Sequence, residues 1–309
     1  MTHHIHHWND LRIVDAHVHF FSHSFFAALA RQKQLEHAEA LGPLLGGWDI
    51  PENNALLAER WVRELDAHQV AKACLMASTP GDEDSVAAAV AQFPERFYGH
   101  FMLDPTQGNA VERMQRAASN PSLHCVCLFP AMHRFTVNDA AQVTPILDIA
   151  AAHHMPVFVH TGALSIGVRR KLGLPCLFDM RCSNPLDLHP VASRYPQIPF
   201  ILPHFGAGML REALMLADLC PNVYLDTSSS NKWMGYEGLK LRDVFERALN
   251  VIGAGRLLFG TDSSFFPRGW QGDVFDQQAT ALYELGLQEP EAQQIFGGNM
   301  ERLLANRKP

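Results

Sequence analysis

Seventeen of the 309 residues are histidine. Four of them, together with one aspartate, stand in the same kind of sequence context. Asp15-Ala-His17-Val-His19 ends an apolar run that begins at Ile13. Val157-Phe-Val-His160, Phe200-Ile-Leu-Pro-His204 and Leu258-Phe-Gly-Thr-Asp262 are apolar segments that each finish in one metal-competent side chain followed by loop residues. A lone His-x-His is ordinarily a pair of satisfied core histidines. Four imidazoles and a carboxylate at the ends of four apolar runs read differently, because imidazole with carboxylate suits zinc and similar divalent ions. A bound ion of that kind lowers the pKa of water from about 15.7 to about 7 and polarises a substrate oxygen. A neighbouring imidazole can then shuttle a proton at neutral pH.

That chemistry requires the runs to end on one face of the molecule. The apolar, β-rich runs number eight: Ile13–Phe20, Ala71–Ala77, Phe97–Leu103, Leu123–Phe129, Pro156–His160, Pro199–His204, Val223–Leu225 and Arg256–Gly260. Their near-continuous hydrophobicity is that of strands covered on both faces. Amphipathic stretches alternate with them at Asn54–His68, Glu83–Gln92, Asn109–Ala118, Ala140–His153, Pro185–Tyr195, Ala207–Cys220, Leu241–Ile252 and Gln277–Leu285, and Ala292–Leu304 follows as a closing helix. Alternating β and α elements imply parallel strands and right-handed crossovers. Eight such units read as an α/β fold, a distorted (β/α)8 TIM barrel whose strand ends gather at the C-terminal mouth. No G-x-G-x-x-G or G-x-x-x-x-G-K-[ST] follows a strand to favour an open doubly wound sheet. The reading is one barrel domain over 1–309 with a long insertion at about 21–70; the connection 161–198 is also long. Along the first strand, alternation puts Asp15, His17 and His19 on the inward face and Val14, Ala16 and Val18 toward the helices.

Composition narrows the function classes. Hydrophobic residues make up 47% and charged residues 18%, which excludes a disordered chain. The net charge of −7 offers no basic surface for phosphates, so nucleic acid is not an expected partner. No apolar run reaches membrane-spanning length, and the first residues lack the apolar core of a secretory signal. Six cysteines without a C-x-x-C pair fit a reducing cytoplasm.

The motifs Ile13-Val-Asp-Ala-His-Val-His-Phe20, Val159-His-Thr161, Leu202-Pro-His-Phe-Gly206, Phe259-Gly-Thr-Asp262 and Ile295-Phe-Gly-Gly-Asn-Met300 occur in one order across residues 12–304. In this the chain resembles the amidohydrolase superfamily, and more closely its amidohydrolase-related branch typified by aminocarboxymuconate-semialdehyde decarboxylase. The resemblance implies a mononuclear site for one divalent ion, zinc first and manganese second. It implies His17, His19, His160 and Asp262 as ligands, with Asp262 also handling the proton of the bound water and His204 as general base or polarising group. Binuclear members carry a carboxylated lysine on strand four. Here that run is Leu123-His-Cys-Val-Cys-Leu-Phe-Pro-Ala131, so no second metal is expected, and Cys127 reads as a buried inert thiol.

Two reactions fit such a site. One is hydrolysis, with metal-bound water attacking an amide, ester or lactone carbonyl of a small carboxylate-bearing substrate. The other is non-oxidative decarboxylation of an aromatic or muconate-type acid. A barrel that binds metal or ligand without turnover is the third reading. Hydrolysis is taken first, as the broader superfamily use. Arg169, Arg181 and Arg268 fall in loops expected at the mouth, where a guanidinium grips a carboxylate bidentately. Arg268 and Arg181 are the expected substrate anchors, with Trp48, Phe20 and Trp270 as apolar walls. Asp15 either orients a ligand histidine or bonds neighbouring amides. His3, His4, His6 and His7 read as a solvated tail, and Asn299 with Gly297-Gly298 as structural. A homodimer is the base-rate expectation.

Overall fold

The computed structural model describes residues 7–9, 11–228, 231–266 and 268–308. His3, His4 and His6 lie outside the described residues. Eight parallel strands follow one another around the sheet in chain order. They are β1 (Val14–Phe20), β2 (Lys72–Ala77), β3 (Phe97–Leu103), β4 (Leu123–Leu128), β5 (Val157–Val159), β6 (Phe200–Leu202), β7 (Val223–Asp226) and β8 (Leu257–Leu258). Backbone bonds from Ala16 to Phe259 (2.8 Å), from Asp262 to His17 (3.0 Å) and from His19 to Ser263 (2.7 Å) carry β1 onto the segment after β8 and bring the ring to near closure. The sheet with helices between its strands is the expected TIM barrel, its last strands short.

Two apolar layers hold it. One lies between strands and helices and includes Val18, Phe20, Leu75, Val126 and Leu202. The other fills the barrel with alternate residues of the same strands: Val14 and Ala16, Cys74 and Met76, Met102, Cys125 and Cys127, Phe158, Ile201 and Leu258. Val14 and Ala16 therefore face inward, which corrects the simple alternation. The cause is a bulge: Asp15 pairs with Ala73 but Val18 pairs with Leu75, so two residues of β1 oppose one of β2. A bulge inserts one residue and reverses the parity beyond it. Val18 thus joins the outer layer while His17 and His19 reach the mouth.

The connection after β1 holds helices His23–Gln32, Leu41–Leu44 and Asn54–Ala67. The helix before the C-terminus is not continuous. Glu289–Gln293 passes through a π turn at Gln294–Gly298 into Asn299–Ala305. Asn299 donates to the carbonyls of Ala254 (2.8 Å) and Leu257 (2.7 Å), tying this segment to the start of β8. His7 stacks on Tyr283 at 4.4 Å, so the start of the chain is packed at that point. No helix among the described residues is long and apolar enough to cross a membrane.

Candidate metal centre

The strand ends bring four histidines and Asp262 together. Ring centroids are 5.2 Å apart for His17 and His19, 5.0 Å for His17 and His204, and 5.3 Å for His160 and His204. Asp262 Oδ1 stands 3.2 Å from His19 Nε2 and 3.6 Å from His17 Nε2. The ligand atoms of His17, His19 and Asp262 all lie within 4.8 Å of one another.

Hydrogen bonds fix which nitrogen each ring presents. His17 Nδ1 meets Asp226 Oδ2 at 2.6 Å, and a carboxylate only accepts, so Nδ1 carries the proton. His19 Nδ1 meets Ser78 Oγ at 2.8 Å, and that hydroxyl gives its own proton to the Met76 carbonyl. His19 Nδ1 is therefore also the donor. In the neutral rings both Nε2 lone pairs then face the Asp262 carboxylate. Acceptors converging in this way call for a cation, and His17 Nε2 is buried with no hydrogen-bond partner. The donor set fits a divalent ion, with Asp226 and Ser78 in the supporting positions that usually hold a ligand imidazole. Burial opposes charge on His17, but the adjoining Asp226 carboxylate overcomes it and raises the pKa to about 9. Asp262 is held far below the usual carboxylate range; burial works against this, and the His19 bond with the neighbouring imidazoles prevails.

His160 and His204 are kept neutral, principally by burial. His160 lies on the Phe129 ring at 5.4 Å, with its Nδ1 unpartnered. His204 Nδ1 meets both the Ser228 carbonyl at 3.1 Å and the Ser228 hydroxyl at 3.0 Å; the carbonyl only accepts, so Nδ1 is the donor and Nε2 is left as a base. The backbone at His204 is unusual. His204, Phe205, Gly206, Ala207 and Gly208 all have positive φ, as does Asp262. Left-handed non-glycine residues are strained, and such strain gathers at functional sites. A methyl on Gly162, two residues after His160, would overlap the Gly206 and Ala207 carbonyls, so the β5 end and the left-handed turn pack backbone to backbone. Gly260 plays the same part beside the ligands: its Cβ would stand 3.0 Å from that of His17 and 2.8 Å from Asp226 Oδ1.

Asp15 bonds amides and side chains, not a ligand ring. It accepts from the amides of His17 (3.0 Å) and Thr261 (3.1 Å), from Thr261 Oγ1 (2.5 Å) and from Trp270 Nε1 (2.7 Å). Burial raises its pKa to about 6 against those bonds. Trp270 and Phe20 are consequently core residues, not walls of the mouth. The residue that orients His17 is Asp226, which the strand-end pattern could have flagged: Val223-Tyr-Leu-Asp226 is one more apolar run ending in a carboxylate. Gln278, also missed, is fully buried and bonds the carbonyls of Thr227 (2.9 Å) and Gly260 (3.1 Å), joining the β7 and β8 ends.

The expected substrate anchors are placed unevenly. Arg181 is 90% exposed and engages Asp179 bidentately at 2.9 and 2.6 Å, so its partner is that surface acid. Arg268 is exposed. Trp48 stacks on Phe266 at 5.7 Å with the Lys171 ammonium over its ring, which packs the 21–70 connection onto the loop after β8. A cavity of about 410 Å³ has Ser78, the partner of His19 Nδ1, in its wall. Phe25, Met132, Ile166 and Phe178 line it, and so do Arg134 and Arg169. These arginines donate to the carbonyls of Leu177 and Pro175, and among the described residues neither has an ion-pair partner.

A family model described as Amidohydrolase matches residues 14–305. Among curated proteins, Protein fluG of Emericella nidulans is 26% identical over 169 residues. That match covers 53% of this chain and 18% of the relative, so the chain spans under a fifth of that protein. A manganese-bound 5-carboxyvanillate decarboxylase of Novosphingobium aromaticivorans, complexed with 4-hydroxy-3-methoxy-5-nitrobenzoic acid, superposes with a TM-score of 0.64 at 15% identity over 96% of each chain. A probable 2-pyrone-4,6-dicarboxylic acid hydrolase of Acinetobacter baumannii with citric acid bound gives 0.61 at 13% identity, covering 96% of this chain and 100% of the other.

Proposed function

The chain belongs to the amidohydrolase family, and from that premise we propose that it is a metal-dependent hydrolase acting on an amide, ester or lactone of a small carboxylate-bearing molecule. His17, His19 and Asp262 would hold one divalent ion, with His160 beside them. When bound, the ion acts as a Lewis acid and makes water acidic near neutral pH. Manganese in the decarboxylase complex supports it beside zinc as a candidate.

The observation that carries the hydrolytic reading is the hydrogen bond from His204 Nδ1 to the Ser228 carbonyl. It fixes the tautomer, so Nε2 is positioned to take a proton from an attacking water. Burial keeps the ring neutral and ready for that role. Asp226 orients His17 and also accepts the Ser228 amide at 2.6 Å, so one carboxylate steadies both the ligand and the base. The apolar cavity with Ser78 in its wall would take the body of the substrate, and Arg134 or Arg169 would receive its carboxylate by giving up a backbone carbonyl. Arg268, at the exposed rim, remains a further anchor.

Decarboxylation is the second reading, favoured by the likeness to 5-carboxyvanillate decarboxylase. It needs a group that delivers a proton to carbon, and the imidazole of His204, beside His17 and His160 at the mouth, is the side chain that could carry one. A screen of lactones, anilides and aromatic acids on the manganese- and zinc-loaded protein separates the two. Ring-opened or amide-cleaved products support hydrolysis. Release of CO2 with no hydrolytic product replaces it with decarboxylation, and no turnover on any of them leaves a binding barrel.

A further inference from the structure

Beneath the mouth, the barrel interior holds a second group of metal-competent side chains. His100 of β3 pairs in register with Cys125 of β4, and Cys127 is the next inward residue of β4. The ligand atoms of His100, Cys125 and Cys127 all lie within 4.8 Å of one another, and all three residues are buried. A third thiol, Cys74 of β2, belongs to the same interior cluster. This group is distinct from the candidate centre above it. Cys127 pairs with Phe158, two residues before His160, so it lies one inward layer deeper.

His100 is the anomaly. It is 1% exposed, and neither ring nitrogen has a hydrogen-bond partner. An imidazole always has at least one N–H to place, and buried polar groups are almost always satisfied. Sulfur and imidazole together form the donor set of structural zinc sites. Charge favours a divalent ion: two thiolates and one M2+ sum to zero, whereas a lone buried charge is strongly disfavoured.

We propose that His100, Cys125 and Cys127 form a buried site for a soft divalent cation of the zinc type inside the barrel, supplying three of its four ligand positions. Binding converts the two thiols to thiolates and releases their two protons to solvent. The ligands join β3 to β4 on a side of the barrel wall that no ligand of the mouth occupies.

The test is zinc-edge X-ray absorption with elemental analysis on full-length protein produced in zinc-replete medium. The expected spectrum contains a zinc–sulfur shell at about 2.3 Å. That shell persists in a His17→Ala/His19→Ala double variant, which separates this site from the mouth. Cys125→Ala and Cys127→Ala, each checked for folding by circular dichroism, lose the sulfur shell and one equivalent of zinc. If a variant fails to fold, the wild-type spectrum decides alone. Wild-type zinc surrounded only by nitrogen and oxygen, or zinc absent from zinc-replete protein, overturns the proposal and leaves these cysteines as inert core thiols.

Discussion

Replacing Asp226 with Asn gives the sharpest view of how the mouth is tuned. The carboxylate lies 2.6 Å from His17 Nδ1, with both groups essentially excluded from solvent. It does two opposing things to metal binding. It makes the imidazole a stronger ligand, and loss of such a support costs about 10–100-fold in metal affinity, or about 1.4–2.7 kcal/mol. It also stabilises the protonated ring, whose pKa rises from 6.5 to about 9 against burial, so the metal must displace a proton at neutral pH. Wild-type affinity should therefore climb about tenfold per pH unit across that window. In Asp226→Asn the proton competes less and the climb flattens. The two proteins should approach one another near pH 7 and separate by about 10–100-fold near pH 9. Competition between a chelating dye and manganese, measured across that range, reads both slopes. Parallel slopes with equal affinities would refute the reasoning, because they would mean the carboxylate neither raises the His17 pKa nor supports the ligand.

Other expectations follow from the same geometry. His204→Ala should keep its metal and lose about 10²–10⁴-fold in turnover; wild-type rates in that variant would remove the proposed base. Asp15→Asn turns an NH2 donor toward the Trp270 or Thr261 donors, and should destabilise by about 2–4 kcal/mol in urea unfolding. An unchanged midpoint would show that those bonds carry little. Because the Asp15 pKa is raised from 3.8 to about 6 in the fold, the folded state holds its proton more tightly. Its contribution is greatest below pH 3.8 and is lost as pH rises through 6, so Asp15→Ala should flatten that part of the stability profile relative to wild type. Arg134→Ala and Arg169→Ala should each raise KM for a carboxylate substrate about tenfold or more with kcat little changed, through loss of charge-assisted bonds; unchanged KM in both would move the anchor to Arg268.

The barrel was legible because its eight strands are short hydrophobic runs separated by helical periodicity, and β3 was placed to the residue. The gathering of His17, His19, His160, His204 and Asp262 followed from parallel strands alone, since all their ends must share one face. The faces of β1 before the bulge were not legible: Val14 and Ala16 point inward where alternation back from His17 and His19 puts them outward. Val14-Asp-Ala-His-Val18 alternates without a break, so nothing in it marks an inserted residue, and Val14 and Ala16 suit the barrel interior as well as the helix layer. Asp226 ends β7 as the other site residues end or follow their strands, but it carries a ligand histidine and does not itself face the ion, a distinction only its bond to His17 Nδ1 reveals. The pairing of Arg181 with Asp179, two residues away, was also not legible, because nothing in the spacing shows which anion a guanidinium takes. Sequence distance also concealed the pairing of His100 with Cys125, which only strand register establishes.

The account stands or falls on a cation among His17, His19 and Asp262. Anomalous diffraction at the manganese edge, from crystals of the manganese-loaded protein, locates that ion directly. One peak is expected among the side chains of His17, His19 and Asp262. A map with no peak there, with His17 still bonded to Asp226 and its Nε2 bare, would contradict it.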